Sequence, residues 1–351
     1  MLRLFIAVFV VFISFGWAVN AQSTEEETAV ERVERAVEVL MEWYEEETGT
    51  FTTTGWWNSA NALYTVIDSM ARTGSAEYLD EVANTYERNI AGGFLNEFYD
   101  DEGWWALTWI HAYDLTGETR YLEVAEAIFA DITGAWDEVC GGGVWWTRER
   151  NYKNAIPNEL FLLTAAKLYN RTENAEYLDW AQRTWNWFRD SGMINELNLV
   201  NDGLRDCENN RDITWTYNQG VILGGLVELY RATGDEALLT QATAIADAAI
   251  TLLVDENGIL REPCELSFNC GNDGPQFKGI FMRHLRTLYD ATGEARYWEF
   301  IQHNAESIWE RARNEEDQLG LRWGARFDRA DAARHSSALD ALLVAVPGSE
   351  S

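Results

Sequence analysis

The chain is 351 residues long and carries 58 acidic against 27 basic residues, a formal net charge of −31 at pH 7. A field of that sign repels polyanions, which argues against nucleic acid or an anionic membrane surface as partner and leaves neutral polymers without penalty. Only four prolines occur, no Ser- or Gly-rich linker divides the chain, and no run of strand alternation stands out, so one all-α domain is expected.

The N-terminus reads as a leader. A lone Arg3 precedes the apolar run 4–15, and Val19-Asn20-Ala21 occupies an A-x-A-like position. Residues 1–21 are therefore expected to be a signal peptide and residues 22–351 a single domain, secreted or periplasmic, with no membrane association after cleavage. A monomer without cofactor or metal is expected. His111, His284, His303 and His335 are isolated in the sequence, and the cysteines form no paired C-x-x-C modules. In an exported chain Cys140, Cys207, Cys264 and Cys270 can form disulfides. Cys264 with Cys270 is the easiest pair to close, with Cys140 and Cys207 the remainder, but spacing alone leaves the connectivity open.

A first helix is predicted from Thr28 to about Glu47, apolar at Val30, Val33, Val37, Leu40 and Tyr44. One unit then recurs: an aromatic or Met, two residues, Thr-Gly, and an aromatic or Leu pair. Close copies are Tyr113…Thr116-Gly117…Tyr121-Leu122, Tyr230…Thr233-Gly234…Leu238-Leu239 and Tyr289…Thr292-Gly293…Tyr297-Trp298. Looser ones are Met70…Thr73-Gly74…Tyr78-Leu79 and Tyr169…Thr172-Glu173…Tyr177-Leu178. Apolar residues flank each copy at helical spacing, so each is read as helix, tight turn, helix. With a last helix over residues 331–346 the count is twelve. Neither terminal helix has the polar face of a solenoid cap, which favours closure into an (α/α)6 toroid of six hairpins.

Turns within hairpins are short, whereas the connections between them, roughly 48–57, 92–103, 133–155, 191–214, 254–277 and 313–331, are long and would share one rim. Long loops on a rigid scaffold are where binding and catalysis concentrate. These loops hold Trp56-Trp57, Asp100-Asp101, Trp104-Trp105, Gly141-Gly142-Gly143-Val144-Trp145-Trp146 and Thr216-Tyr217-Asn218-Gln219. Aromatic faces with Asn, Gln and Asp side chains form a mixture suited to sugar rings and their hydroxyls. Asp100-Asp101 stands just before a helix predicted from about Glu102 to Leu115, where acidic residues commonly serve as caps. Two close carboxyls also match the needs of glycoside hydrolysis, and repulsion between them keeps one proton available. Asn154 and Asn158 open another helix, Lys153 reads as a charge partner in an acidic chain, and no Gly-x-Ser-x-Gly elbow is present.

The segments 98–105 (FYDDEGWW), 140–146 (CGGGVWW), 152–161 (YKNAIPNELF) and 216–220 (TYNQG), in that order, resemble glycoside hydrolase family 76 over essentially the whole mature chain. The resemblance implies an (α/α)6 toroid and a retaining endo-α-1,6-mannanase acting on α-mannan, with Asp100 as nucleophile and Asp101 as acid/base. The candidate substrate contacts are Trp56, Trp57, Asn61, Trp104, Trp105, Gly142, Gly143, Trp145, Trp146, Lys153, Asn154, Asn158, Tyr217, Asn218 and Gln219. Mannan transglycosylation and non-catalytic glycan binding on the same scaffold are the alternatives.

Overall fold

A computed structural model describes residues 27–347 apart from Phe268; the leader lies outside the described residues. Among the described residues, twelve α-helices form an (α/α)6 toroid. They are α1 (Ala29–Met41), α2 (Trp56–Thr73), α3 (Leu79–Asn89), α4 (Tyr99–Thr116), α5 (Thr119–Thr133), α6 (Ala155–Thr172), α7 (Ala175–Asp190), α8 (Thr216–Thr233), α9 (Glu236–Leu252), α10 (Phe277–Thr292), α11 (Ala295–Arg311) and α12 (Ala332–Val344). The inner ring runs α2, α4, α6, α8, α10 and α12, and α12 packs back on α2 to close it. Inner helices are buried on nearly every face, as α8 is from Thr216 to Leu229. Outer helices bury one stripe, such as Ala181, Thr184, Trp185, Trp187 and Phe188 of α7. Among the described residues no helix is long and apolar enough to cross a membrane.

The repeated Thr-Gly has a local cause. After α2, α4, α8 and α10 the glycine is left-handed, with φ between 67° and 74°, and its N–H bonds the carbonyl four residues back. After α6 that place falls to Glu173, at φ 55°. The threonine hydroxyl ties the turn from both sides. Thr116 Oγ1 donates to the Ala112 carbonyl at 2.7 Å and accepts from the Glu118 amide at 3.2 Å. The same pair of bonds recurs at Thr73, Thr172, Thr233 and Thr292. Closure is made by the termini: α1 lies on α12, where His335 Nε2 meets the Ala36 carbonyl at 2.7 Å.

Three sequence expectations need correction. The first helix stops at Met41 rather than near Glu47, because residues 44–51 fold back as an antiparallel hairpin pairing Tyr44 with Phe51. Short strand pairing also occurs at Leu204–Arg205 with Glu208–Asn209. More consequentially, α4 begins at Tyr99, so Asp100 and Asp101 belong to its first turn instead of preceding it. Both disulfides are present, Cys140–Cys207 and Cys264–Cys270.

Candidate active site

The N-terminal ends of the inner helices meet at one rim, around a cavity of about 510 Å³. Its floor is aromatic. The rings of Trp57 (α2), Trp104 (α4), Tyr217 (α8) and Phe277 (α10) lie within 17° to 28° of parallel, with Tyr217 and Phe277 only 3.8 Å apart at their centroids. Its walls are acidic: Asp100, Asp101, Asp202 and Asp273 line it, and among the described residues no Lys or Arg does.

Successive loops stitch the wall together. The Tyr99 amide donates to the Trp146 carbonyl at 2.9 Å, the Trp146 amide to Tyr152 at 2.8 Å, and the Leu204 amide to Lys153 at 3.0 Å. The last contact needs Gly203, because a Cβ there would lie 2.7 Å from the Asn154 Cα. This ribbon brings the Trp146 indole N–H to Asp100 Oδ2 at 3.0 Å and the Tyr152 hydroxyl to Asp202 Oδ2 at 2.5 Å. Opposite, Trp57 Nε1 donates to Asp273 Oδ1 at 2.9 Å, and Asp273 sits just past the loop closed by Cys264–Cys270.

Adjacent positions in a helix point about 100° apart, yet both Asp100 and Asp101 line the cavity because the first turn of α4 projects into it. Neither caps the helix, since Phe98 is the N-cap and makes no side-chain cap bond. Burial, then repulsion from Asp101, pushes the Asp100 carboxyl well above the usual range, against the Trp146 N–H and the first-turn amides that favour its charge. Burial, against the Asn96 amide bond and with repulsion from Asp273, raises Asp101 to about 6. Repulsion between two carboxyls this close makes ionising both costlier than ionising one, which favours a single proton shared by the pair, the condition for one acid and one anion.

Of the residues expected to meet substrate, Trp57, Asp100, Asp101, Trp104, Trp146, Asn154 and Tyr217 line the cavity. The structure places the others elsewhere. Trp105 is wholly buried and packs with Trp56 and Phe94, so neither tryptophan forms part of the lining. Asn61 is taken up by Arg283, whose Nη1 donates to its Oδ1 at 2.8 Å. Gly142 and Gly143 pack on Trp187, and Trp145 donates to Asp137. Lys153, 2 % exposed, donates to Asp137 Oδ1 and to the carbonyls of Asp137, Val139 and Gly142.

Asn158 and Gln219 act as clamps for extended backbone. Asn158 bonds both the amide and the carbonyl of Val144, and Gln219 does the same for Val200. Asn218 is buried with both side-chain polar atoms unpartnered. Glu159 is likewise buried without partners, and burial, then repulsion from Asp202, pushes its carboxyl well above the usual range.

Phe98, Tyr152, Asp202, Asp273 and Phe277 complete the lining and were not anticipated. For Phe277 a signal existed: Trp57, Asp100 and Tyr217 each stand 17 residues ahead of their turn glycine, and Asp101 and Phe277 stand 16 ahead of theirs. Counting back from the repeated Thr-Gly thus finds the rim. Asp202 and Asp273 carry no comparable mark, because their places depend on loops crossing the rim.

A family model, Glycosyl hydrolase family 76, matches residues 28–346. A Schizosaccharomyces pombe protein named provisionally as a mannan endo-1,6-alpha-mannosidase is 32% identical over 271 residues, covering 70% of this chain and 61% of its own length. The mannan endo-1,6-alpha-mannosidase DFG5 of Saccharomyces cerevisiae is 30% identical, covering 66% of this chain and 56% of its own. The chain thus spans about three fifths of the length of these curated relatives. Among solved structures, the GH76A alpha-1,6-mannanase of Salegentibacter sp. HEL1_6 superposes with a TM-score of 0.82 at 28% identity, covering 91% of this chain and 99% of that one. An inactive variant of that enzyme, with alanine at two consecutive aspartates, was solved with alpha-1,6-mannotetrose. With the family model matching nearly the whole described chain, this protein belongs to glycosyl hydrolase family 76.

Proposed function

We propose that residues 22–351 form one exported catalytic domain that cuts α-1,6-linked mannan internally, with retention of anomeric configuration. The observation that carries this reading is the pair of adjacent carboxyls lining a cavity with an aromatic floor, where no Lys or Arg among the described residues contributes to the lining. The Salegentibacter enzyme supports the substrate class: it is an alpha-1,6-mannanase whose variant at two consecutive aspartates is inactive.

In the first step Asp101 gives its proton to the glycosidic oxygen while Asp100 attacks the anomeric carbon and the bond to the leaving sugar breaks. Burial raises Asp100 further than Asp101 in the free chain, so the reactive arrangement needs the shared proton on Asp101, and the Trp146 N–H and the positive end of α4 favour the negative charge this leaves on Asp100. In the second step Asp101 takes a proton from water, which attacks the same carbon and releases the Asp100 carboxylate. The ring floor stacks on sugar faces, and Asn154, Asp202 and Asp273 are placed to bond hydroxyls.

Incubation with α-1,6-mannotetraose, followed by proton NMR, is the test. The first product is expected as the α-anomer, and Asp100→Asn and Asp101→Asn should each remove most turnover without loss of fold. A β-configured first product would overturn retention. Binding without new reducing ends would favour a glycan-binding protein, and products longer than the substrate would favour transglycosylation.

A further inference from the structure

Asn96 lies outside the cavity lining, in the loop before α4, yet every one of its polar groups is committed. Its carbonyl accepts from Arg148 Nε at 2.7 Å, and its amide donates to Glu102 Oε1 at 3.2 Å. Glu102 is itself fixed by Arg148, which also bonds Asp131 Oδ2 at 2.9 Å. The Phe98 amide donates to Asn96 Oδ1 at 2.7 Å, which fixes the orientation of the side-chain amide: its oxygen faces Phe98 and its NH2 group faces Asp101. That NH2 donates to Asp101 Oδ2 at 2.6 Å.

A side-chain NH2 can only donate. Asp101 Oδ2 then accepts in either protonation state, and because a protonated oxygen is the poorer acceptor, a proton on Oδ2 would weaken the Asn96 bond whereas one on Oδ1 would not. We infer that Asn96 is a positioning residue that confines the acid proton of Asp101 to Oδ1, the oxygen without a protein partner, and so selects the atom that serves the glycosidic oxygen. The Arg148–Glu102 pair holds Asn96 in place from behind. The inference rests on Asp101 being the acid/base.

The test compares Asn96→Asp with Asn96→Ala. Asn96→Asp keeps the size of the side chain and an acceptor for the Phe98 amide, but it offers Asp101 Oδ2 a proton acceptor in place of a donor. The proton is drawn to the wrong oxygen. Turnover of α-1,6-mannotetraose should fall about ten- to hundred-fold in both variants, a part of the roughly hundred- to ten-thousand-fold that a general acid supplies. KM should change little. The alkaline limb of kcat/KM should move to higher pH in Asn96→Asp, whose added charge sits beside Asp101.

A 2,4-dinitrophenyl α-1,6-mannobioside, which needs no acid for departure, should be cleaved at near wild-type rate by both variants when azide replaces water as acceptor. Near wild-type turnover of the oligosaccharide by Asn96→Asp would overturn the inference, and so would an equal loss on the activated substrate with azide. If instead Asp101→Asn kept full oligosaccharide turnover, the assignment of Asp101 itself would fail, a separate outcome from either of these.

Discussion

Replacing Lys153 with Met keeps the aliphatic stem and removes four hydrogen bonds from the buried ammonium. A bond from a charged donor contributes about 1.5–3 kcal/mol, but the four are not additive, and Asp137, 30% exposed at its side chain, regains water when the pair is lost. The carbonyls of Val139 and Gly142 lose a charged donor at 2.7 Å each, with most of the cost falling at the buried Gly142 end. The expected destabilisation is ~3 kcal/mol, comparable with the lower end for breaking a buried ion pair. For a chain of this size that lowers Tm by about 4–5 °C.

The same ammonium anchors the loop that carries Trp146 to Asp100, so kcat/KM should also fall at temperatures where the variant remains folded. Urea unfolding followed by tryptophan fluorescence, with parallel kinetics on mannotetraose, measures both. Glu138→Gln serves as control, because that carboxylate is 77% exposed and its pair with Arg183 lies at the surface. A loss below ~1 kcal/mol in Lys153→Met, with kinetics unchanged, would show that the anchoring argument is wrong.

Glu262, buried against the amide and hydroxyl of Thr216, is raised by burial to about 8 from an ordinary 4.5. The folded chain thus holds a proton that the unfolded chain releases. The resulting stability is fully present below pH 4.5 and is lost as pH climbs through 8. Glu262→Gln should flatten the decline in unfolding free energy between pH 6 and 9 by a few kcal/mol, and parallel curves for variant and wild type would contradict this. Gly143 has φ +90° and a Cβ there would lie 2.4 Å from the Trp187 ring, so Gly143→Ala should cost about 2 kcal/mol or more; a thermal shift within error would refute it. Tyr217→Leu removes one ring of the floor and should raise KM about tenfold with a smaller change in kcat, measured on mannotetraose. Because Asp101 is raised to about 6, kcat/KM should fall below about pH 6 as both carboxyls become protonated; a rate independent of pH from 4 to 8 would count against the pair.

Much of this architecture is legible along the chain because its causes are local. The 3.6-residue period, the left-handed turn glycine and the threonine that ties it repeat at each hairpin, so helix number and ring closure follow from residues close in sequence. Asp100 and Asp101 are marked by their neighbours, and Trp57 and Tyr217 by their register with the turn.

Which aromatic and polar side chains face the cavity is decided elsewhere. Trp104 and Trp105 are neighbours of the same type, but only Trp104 joins the floor while Trp105 is sealed against Phe94, because successive helix positions diverge by about 100°. Asn158 and Gln219 look like ligands for substrate by residue type, yet each clamps backbone 14 to 19 positions away, while Lys153 bonds the Asp137 carboxylate and carbonyls 11 to 16 positions away, all supplied by loops that have to be held at the rim. The sequence by itself determines the ring and the acid pair, since each is written in contiguous residues. Only the tertiary structure brings Asp202 and Asp273 to the rim of that pair and fixes Asn96, five residues ahead of Asp101, through Arg148 52 positions away, because these contacts depend on bridges between loops that no periodicity encodes.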